Sequence, residues 1–363
     1  MSTRYVGFFA EHTGYGRAAV SHACALASTG HPLQVDSVLL SPSGPIATRP
    51  RGAALAPIRK LMRRQVTPRT LIVHTPVQHY PLFRDGRSRQ VGFSAWETLE
   101  PPASWSPALD SMDELWVPSS FCRQALEPIT RRPIHVIAHP IRPALDGPRE
   151  LAGIDSGSFL FLSILEWSDR KNPIGLLRAF RRAFAGRSDV ELLLKVGLGF
   201  RASRREVLGE LQDVYGTARY PSVSICFDQL SDAMLARLYR RADAYLSLHR
   251  AEGFGLCIAE AMAAGKPAVA TGYSGNLDFT NETNAFLVDY RLTPARERLT
   301  RAHIFTKHMR WAEPNEESAI EALRQCAFSP ALREKRAFAG RDTVLRMCSP
   351  GAIGEQMRAR LQA

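Results

Sequence analysis

The sequence predicts an α/β protein built from two doubly wound, Rossmann-like domains that face a central cleft. Short apolar runs alternate with helical patterns along most of the chain, the signature of parallel sheets covered by helices. The alternation stops at a proline-rich stretch without apolar period, His139 to Pro148, and then restarts. At 363 residues the chain is long for one core and sufficient for two.

In the first domain, expected over residues 1–143, Tyr5–Phe9 reads as a strand, and a helix from about Arg17 to Ser28 ends at Gly30. Leu33–Leu39, Leu71–Val73, Val91–Phe93, Glu114–Val117 and Ile134–Ile137 are further short strands, and Ser119-Ser120 cap the helix after the fourth of these. In the second, expected over 144–344, Phe159–Leu165, Val190–Val196, Val223–Phe227, Ala244–Leu248 and Ala268–Ala270 are strands. Helices are expected over Pro173–Phe184, from Arg201, and from Ser231-Asp232 to Arg241. Helices from Glu316, Ala331 and Ile353 follow without strands between them.

An apolar fraction of 45% excludes a disordered chain, and no apolar run approaches the length of a membrane span. Tyr5–Ala10 is too short for a signal-peptide core. The six scattered cysteines form no CxxC pair, which argues for reduced thiols and a cytoplasmic setting. The net charge of +12 points to an anionic partner, or to a preference for arginine over lysine. Its densest segment, 49–69, holds Arg49, Arg51, Arg59, Lys60, Arg63, Arg64 and Arg69, with Leu55, Ile58, Leu61 and Met62 at helical spacing. It reads as a solvated surface helix, or as a basic amphipathic helix in peripheral contact with the inner face of a membrane. No base-stacking aromatics interleave with these charges, so nucleic acid is not an expected partner.

Arg250 to Pro267 carries the most chemistry. Glu252 and Glu260 bracket seven residues, and Gly253-Phe254-Gly255 turns into a short Ala-rich helix starting near Leu256. A helix N-terminus suits a phosphate, and glycines let a ligand approach the backbone. Glu260, a turn into the helix, can accept hydrogen bonds from a ribose diol, and Glu252 can meet a second polyol. Together they make a nucleotide-sugar site. The E-x7-E stretch, with His249-Arg250 before it and Glu-Ala-Met-Ala-Ala-Gly-Lys-Pro closing it, resembles the donor site of retaining GT-B glycosyltransferases of the family-4 type (glycosyltransferase group 1). The resemblance is strongest from Ser163 to Tyr290. It implies that a terminal helix, about 345–363, crosses back onto the first domain, and that hexose moves from a nucleotide diphosphate sugar to a glycan or lipid-linked acceptor with retention.

The other candidates fall at strand ends, where open α/β sheets bind ligands. Arg170 and Lys171, at a helix start, can neutralise a diphosphate leaving group, and the resemblance gives them that role. It sets Gly14 and Gly16, in Thr13-Gly14-Tyr15-Gly16, against the donor. The same glycines also fit a dinucleotide fingerprint with Asp36 as ribose ligand, the pattern of an NAD-dependent oxidoreductase, or a plain structural turn. The resemblance implies that Glu97 of the Trp96-Glu97-Thr98 signature is the polar group near the acceptor, as base or sugar contact, and Trp96 either stacks on a sugar or belongs to the core. His74 and His79 offer at most one acceptor contact. Ser274 and Asn276 contact the donor or form a tight turn, and His249 orients the donor or satisfies a strand-end carbonyl. Without a D-x-D motif, no metal and no cofactor beyond the nucleotide sugar are expected. The resemblance makes GDP-mannose the first donor expected and a UDP-sugar the next. A GT-B protein that binds sugar or nucleotide without turnover is the remaining alternative.

Overall fold

The computed structural model describes residues 2–11, 13–41, 44–48, 53–143, 157–198, 203–216, 221–297 and 305–363. It divides into two compact units: Met1–Arg142 with Arg346–Ala363, and Pro143–Leu345.

The first unit is built on β1 (Thr3–Gly7), α1 (Gly14–Ser28), β2 (Leu33–Ser41), β3 (Gly44–Thr48), α2 (Arg59–Arg63), β4 (Thr70–His74), β5 (Arg89–Phe93), α3 (Ser106–Asp110), β6 (Glu114–Val117), α4 (Ser120–Leu126) and β7 (Ile134–Val136). Its sheet has the order β3-β2-β1-β4-β5-β6-β7, parallel except for the edge strand β3. Strand β4 is buried along its whole length, as expected for a central strand covered on both faces. Helix α1 starts three residues earlier than its apolar pattern, because the Thr13 hydroxyl caps it by accepting from the Gly16 amide at 3.3 Å.

The second unit contains β8 (Phe159–Glu166), α5 (Pro173–Ala183), β9 (Val190–Gly197), α6 (Arg204–Tyr215), β10 (Ser222–Cys226), α7 (Asp232–Arg241), β11 (Ala244–Ser247), α8 (Leu256–Ala263), β12 (Ala268–Thr271), β13 (Phe286–Val288), β14 (Tyr290–Pro294), β15 (Arg310–Pro314), α9 (Glu316–Phe328) and most of α10 (Pro330–Cys348). Its sheet, β10-β9-β8-β11-β12-β13, is parallel throughout, and β14 and β15 form a separate antiparallel ribbon. Helices begin at side-chain caps: Asn172 for α5, Ser203 with Glu206 in a capping box for α6, Ser231 for α7 and Asn315 for α9.

Helix α11 (Pro350–Gln362) belongs to the first unit, where Ile353, Met357 and Leu361 enter the core beneath α1. A Cβ on Gly354 would stand 2.2 Å from the Ala25 carbonyl oxygen, so only glycine lets the two helices approach this closely.

The basic segment does not form one amphipathic helix. A 3₁₀ turn, Ala53–Ile58, leads into the five-residue α2. Leu55 and Ile58 are buried in the unit's own core, and Leu61 and Met62 pack against it. Among the described residues these apolar side chains thus pack on the unit's own core, Leu55 and Ile58 fully and Leu61 and Met62 in part. Arg49 and Arg51 lie outside the described residues. Among the described residues, no helix is long and apolar enough to cross a membrane.

Candidate functional site

Strand order in the second sheet reverses direction between β8 and β11, and this switch point is where the loops after neighbouring strands diverge and leave room for a ligand. The loop after β8 carries Arg170 and Lys171, the loop after β11 carries Glu252, and the loop after β12 carries Ser274 to Asn276.

These loops are joined through the backbone. Arg250 N–H donates to the Arg170 carbonyl at 2.8 Å, and Asn172 Nδ2 donates to the Leu248 carbonyl at 3.0 Å. Glu252 N–H donates to Ser274 Oγ at 2.8 Å, and Gly275 N–H to the Glu252 carbonyl at 2.9 Å. A Cβ on Gly275 would lie 2.3 Å from the Gly253 oxygen, so the close crossing of these loops requires glycine. Ser274 and Asn172 adopt left-handed φ of 75° and 54°. Such backbone persists where surrounding contacts hold it, as the Asn172 side chain does by also accepting from Gly175 N–H at 3.2 Å.

Glu252 is buried and ion-paired. Lys171 Nζ donates to Oε1, while Arg170 donates to the Ala251 carbonyl at 3.0 Å and approaches Glu252 Oε2 at 3.4 Å. Burial works against the carboxylate, but Lys171 first, then Arg170, outweigh it and hold the Glu252 pKa at about 2. The site therefore presents a fixed anion between two cations at neutral pH.

Helix α8 starts at Gly255, whose φ of +91° turns the chain sharply, and no side chain caps it. The amides of its first turn, beginning at Leu256, are thus not covered by a side-chain cap. Phe254 turns its ring inward onto Phe279, centroids 5.1 Å apart, and can offer a ligand only its backbone. Glu260, half-buried on the same helix, accepts from the Tyr239 hydroxyl at 2.8 Å. Tyr239, on α7, carried no signal of its own in the sequence.

The Asn276 and His249 side chains are buried and hydrogen-bonded within the unit, His249 Nε2 lying 3.2 Å from the Tyr273 carbonyl oxygen. The buried Asn276 amide donates from Nδ2 to the Thr271 carbonyl and to Thr280 Oγ1, both at 3.1 Å. That turns Oδ1 toward His249 Nε2 at 3.0 Å, so Nε2 carries the proton and Nδ1, 3.0 Å from the Ser247 hydroxyl, accepts. Burial lowers the His249 pKa and keeps the ring neutral. The pair braces the β11 and β12 loops from beneath. The Ser274 hydroxyl likewise serves the backbone, donating to the Tyr273 carbonyl at 2.6 Å. Sequence shows residue type at a loop but not which way a side chain turns.

In the first unit the corresponding switch point lies between β1 and β4. Gly16 is fixed by packing: a Cβ would stand 2.0 Å from the Glu11 carbonyl oxygen, whereas a Cβ on Gly14 meets nothing within 4 Å. His74, at the end of β4, shares a 2.8 Å hydrogen bond with the Tyr5 hydroxyl and stacks on Phe93 at 4.3 Å. His22 and His139 pack beside it, with ring centroids 5.2 Å apart. Burial lowers all three pKa values, His22 to about 4. Glu97 is half-buried near Tyr15, whose hydroxyl meets Ser94 Oγ at 2.7 Å. Trp96 is a core residue, packed edge-on against Trp105 at 4.7 Å, and has no free face for a sugar. Asp36 does not sit at a strand end. It lies inside β2, bound by Arg4 and by Gln34 Nε2 at 3.1 Å, so its carboxylate is not presented to a dinucleotide ribose.

Residues 157–298 match the family described as Glycosyl transferases group 1, a span that includes the paired Glu252, Arg170 and Lys171 and the whole of α8. Over that span the chain is similar to a glycosyltransferase group 1 domain. Over 131 residues it is 37% identical to the phosphatidyl-myo-inositol mannosyltransferase of Mycolicibacterium smegmatis, a match covering 36% of this chain and 30% of that protein. The likeness of the whole fold is wider. Sucrose-phosphate synthase from Thermosynechococcus elongatus superposes with a TM-score of 0.71 at 16% identity, over 100% of this chain and 98% of that one. Anabaena HepE, solved with UDP and glucose, superposes with a TM-score of 0.70 at 15% identity, over 100% of both. The fold is GT-B, and the span matched by the group 1 family lies in its second unit.

Proposed function

We propose that the protein transfers a hexose from a nucleotide diphosphate sugar to an acceptor hydroxyl, with retention at the anomeric carbon. The observation that carries this reading is the buried Glu252 held between Lys171 and Arg170 at the switch point of the second unit. Lys171, Arg170 and the first-turn amides of α8 would hold the diphosphate as it leaves. Glu252 would take the sugar hydroxyls and Glu260, steadied by Tyr239, the ribose. Gly14 and Gly16 would place backbone near the donor, and Glu97 would contact the acceptor. In the reaction the bond from the anomeric carbon to the phosphate oxygen breaks and a bond to the acceptor oxygen forms on the same face. The acceptor proton passes to the leaving phosphate, so no carboxylate nucleophile, metal or further cofactor is needed.

Mannose is the first sugar to test, because the 37% identical relative is a mannosyltransferase, and GDP is then the first nucleotide. UDP is the second, as the nucleotide present in HepE. That relative's name also supports a lipid-linked acceptor, and a peripheral position at the cytoplasmic membrane face is part of the same proposal. Contact there would be electrostatic, through Arg59, Lys60, Arg63, Arg64 and Arg69, since Leu55, Ile58, Leu61 and Met62 pack on the unit's own core. Sedimentation with phosphatidylglycerol vesicles at low and high salt checks this: salt-sensitive binding supports it, and binding unaffected by salt removes it.

The reading is tested by thermal denaturation with GDP, UDP, ADP, dTDP and NAD, repeated on Glu260→Ala. Ligand binding to the folded state raises the melting temperature. Stabilisation by one nucleoside diphosphate, lost in the variant, supports it. Stabilisation by NAD alone refutes it. Release of that diphosphate from its hexose conjugate, followed with acceptor present, separates a transferase from a binding protein without turnover.

A further inference from the structure

Arg250 has its polar groups committed to two other segments. Its backbone N–H donates to the Arg170 carbonyl at 2.8 Å, and its carbonyl accepts from Ala312 N–H of β15 at 2.9 Å. Its guanidinium donates from Nη1 to the Asp169 carbonyl at 2.6 Å, and from Nε and Nη2 to the two carboxylate oxygens of Glu313 at 2.7 and 3.1 Å. The guanidinium also lies 5.6 Å from the centroid of the Trp311 ring. One residue thus ties the turn bearing Arg170 and Lys171, the loop bearing Glu252 and the β14–β15 ribbon into one piece. The planar fork of arginine makes the bidentate contact and the carbonyl contact at once, which the single ammonium of lysine cannot reproduce. The cavity behind Arg250, lined also by Asn172, Arg178 and Leu248, holds about 120 Å³, well short of the roughly 300 Å³ or more of ordinary ligand sites. The arrangement around Arg250 is therefore a brace.

We propose that Arg250 and Glu313 are positioning residues that hold Arg170 and Lys171 in register with Glu252, so that the β14–β15 ribbon sets affinity for the diphosphate part of the donor. This rests on the donor-site reading above. The ribbon contributes no group to the diphosphate; it acts through the Arg250–Glu313 pair.

Titration calorimetry of the intact protein with GDP, guanosine, UDP and uridine tests it on wild type, Arg250→Lys, Glu313→Gln and Glu313→Asp. The expected result is a loss of about tenfold in affinity for the diphosphate in Arg250→Lys and Glu313→Gln, with affinity for the matching nucleoside within twofold of wild type. Glu313→Asp, which keeps the charge, regains part of the loss. Equal weakening of diphosphate and nucleoside would mean general damage to the fold and would overturn the proposal, as would full diphosphate affinity in both variants. A wild-type protein that binds neither GDP nor UDP would instead overturn the donor-site reading itself.

Discussion

The two units share the same strand order on either side of a switch point and furnish that point in opposite ways. In the second unit the loops there carry Glu252, Lys171 and Arg170 as ionised, mutually paired groups, with the Glu252 carboxyl held at about 2. In the first unit the same region is filled by His22, His74 and His139 with Tyr5 and Phe93, buried, and with every imidazole pKa lowered. Paired charges at a loop crossing hold a polyanion in place with little reorganisation. A neutral, close-packed aromatic cluster positions backbone and shape. The comparison teaches that one fold supports a charged half and a neutral half, and that the two should fail under different perturbations.

The largest effect is expected from Lys171→Met. It removes the strongest partner of a buried carboxylate, and should lower transfer about 10²- to 10³-fold. It should also destabilise the second unit by about 3 kcal/mol, because Glu252 keeps its charge with one weaker partner. Steady-state kinetics and urea unfolding check the two parts. Transfer within threefold of wild type would remove the distinction between the halves.

Acid should separate the units next. A folded imidazole whose pKa is depressed stays neutral while the unfolded chain takes up a proton, so its stability contribution falls as pH drops from the unfolded toward the folded value. For His22 that window runs from 6.5 to about 4 and amounts to ~3 kcal/mol, with His74 and His139 acting in the same direction. Among the described residues the second unit has one such buried ring, His249. Its Glu252 works lower, losing its contribution only as pH falls from 4.5 toward about 2. Hydrogen exchange at pH 7 and pH 5 should therefore show protection lost chiefly in β1, β4, β5 and α1. Equal loss in β8, β11 and β12 would contradict this.

Two glycines give a smaller, matched pair. Gly16→Ala and Gly275→Ala each drive a methyl into a backbone carbonyl, at 2.0 and 2.3 Å, and should destabilise their units by about 1–3 kcal/mol. Only Gly275→Ala should also disturb Glu252, so its transfer rate per folded molecule should fall further than that of Gly16→Ala, as rates normalised to the folded fraction will show.

The smallest effect is Gly14→Ala. The methyl meets nothing within 4 Å at the first residue of α1, so stability should rise by about 0.4–1 kcal/mol. Raised stability with slower transfer would sharpen the assignment of this backbone to the donor; unchanged transfer would remove it.

Much of this was legible in the sequence. The strand-helix alternation gave most elements of both sheets, and the glutamate pair marked the loop and helix around which the charges gather. Information carried by side-chain direction or long separation was not legible. Phe254 and Asn276 lie in loops that read as ligand contacts, yet their side chains turn inward to Phe279 and to His249. Arg250 and Glu313 are 63 positions apart, and no local spacing announces a bidentate pair. The β14–β15 ribbon was missed because Tyr290–Pro294 and Arg310–Pro314 each end in proline and lack an apolar run. The basic segment misled for the opposite reason: its helical spacing of Leu55, Ile58, Leu61 and Met62 serves the unit's own core. Asp36 looked like a ribose ligand until Arg4, on the neighbouring strand, accounted for its carboxylate.

The central claim is that the charged switch point of the second unit binds the diphosphate of a sugar donor. Phosphorus NMR of GDP and UDP titrated with the protein tests it most directly, with Lys171→Met and His74→Phe as the paired variants. A β-phosphate resonance that shifts and broadens with wild type and His74→Phe, but not with Lys171→Met, is the predicted result. An unperturbed β-phosphate with wild type, or equal perturbation with Lys171→Met, would contradict it.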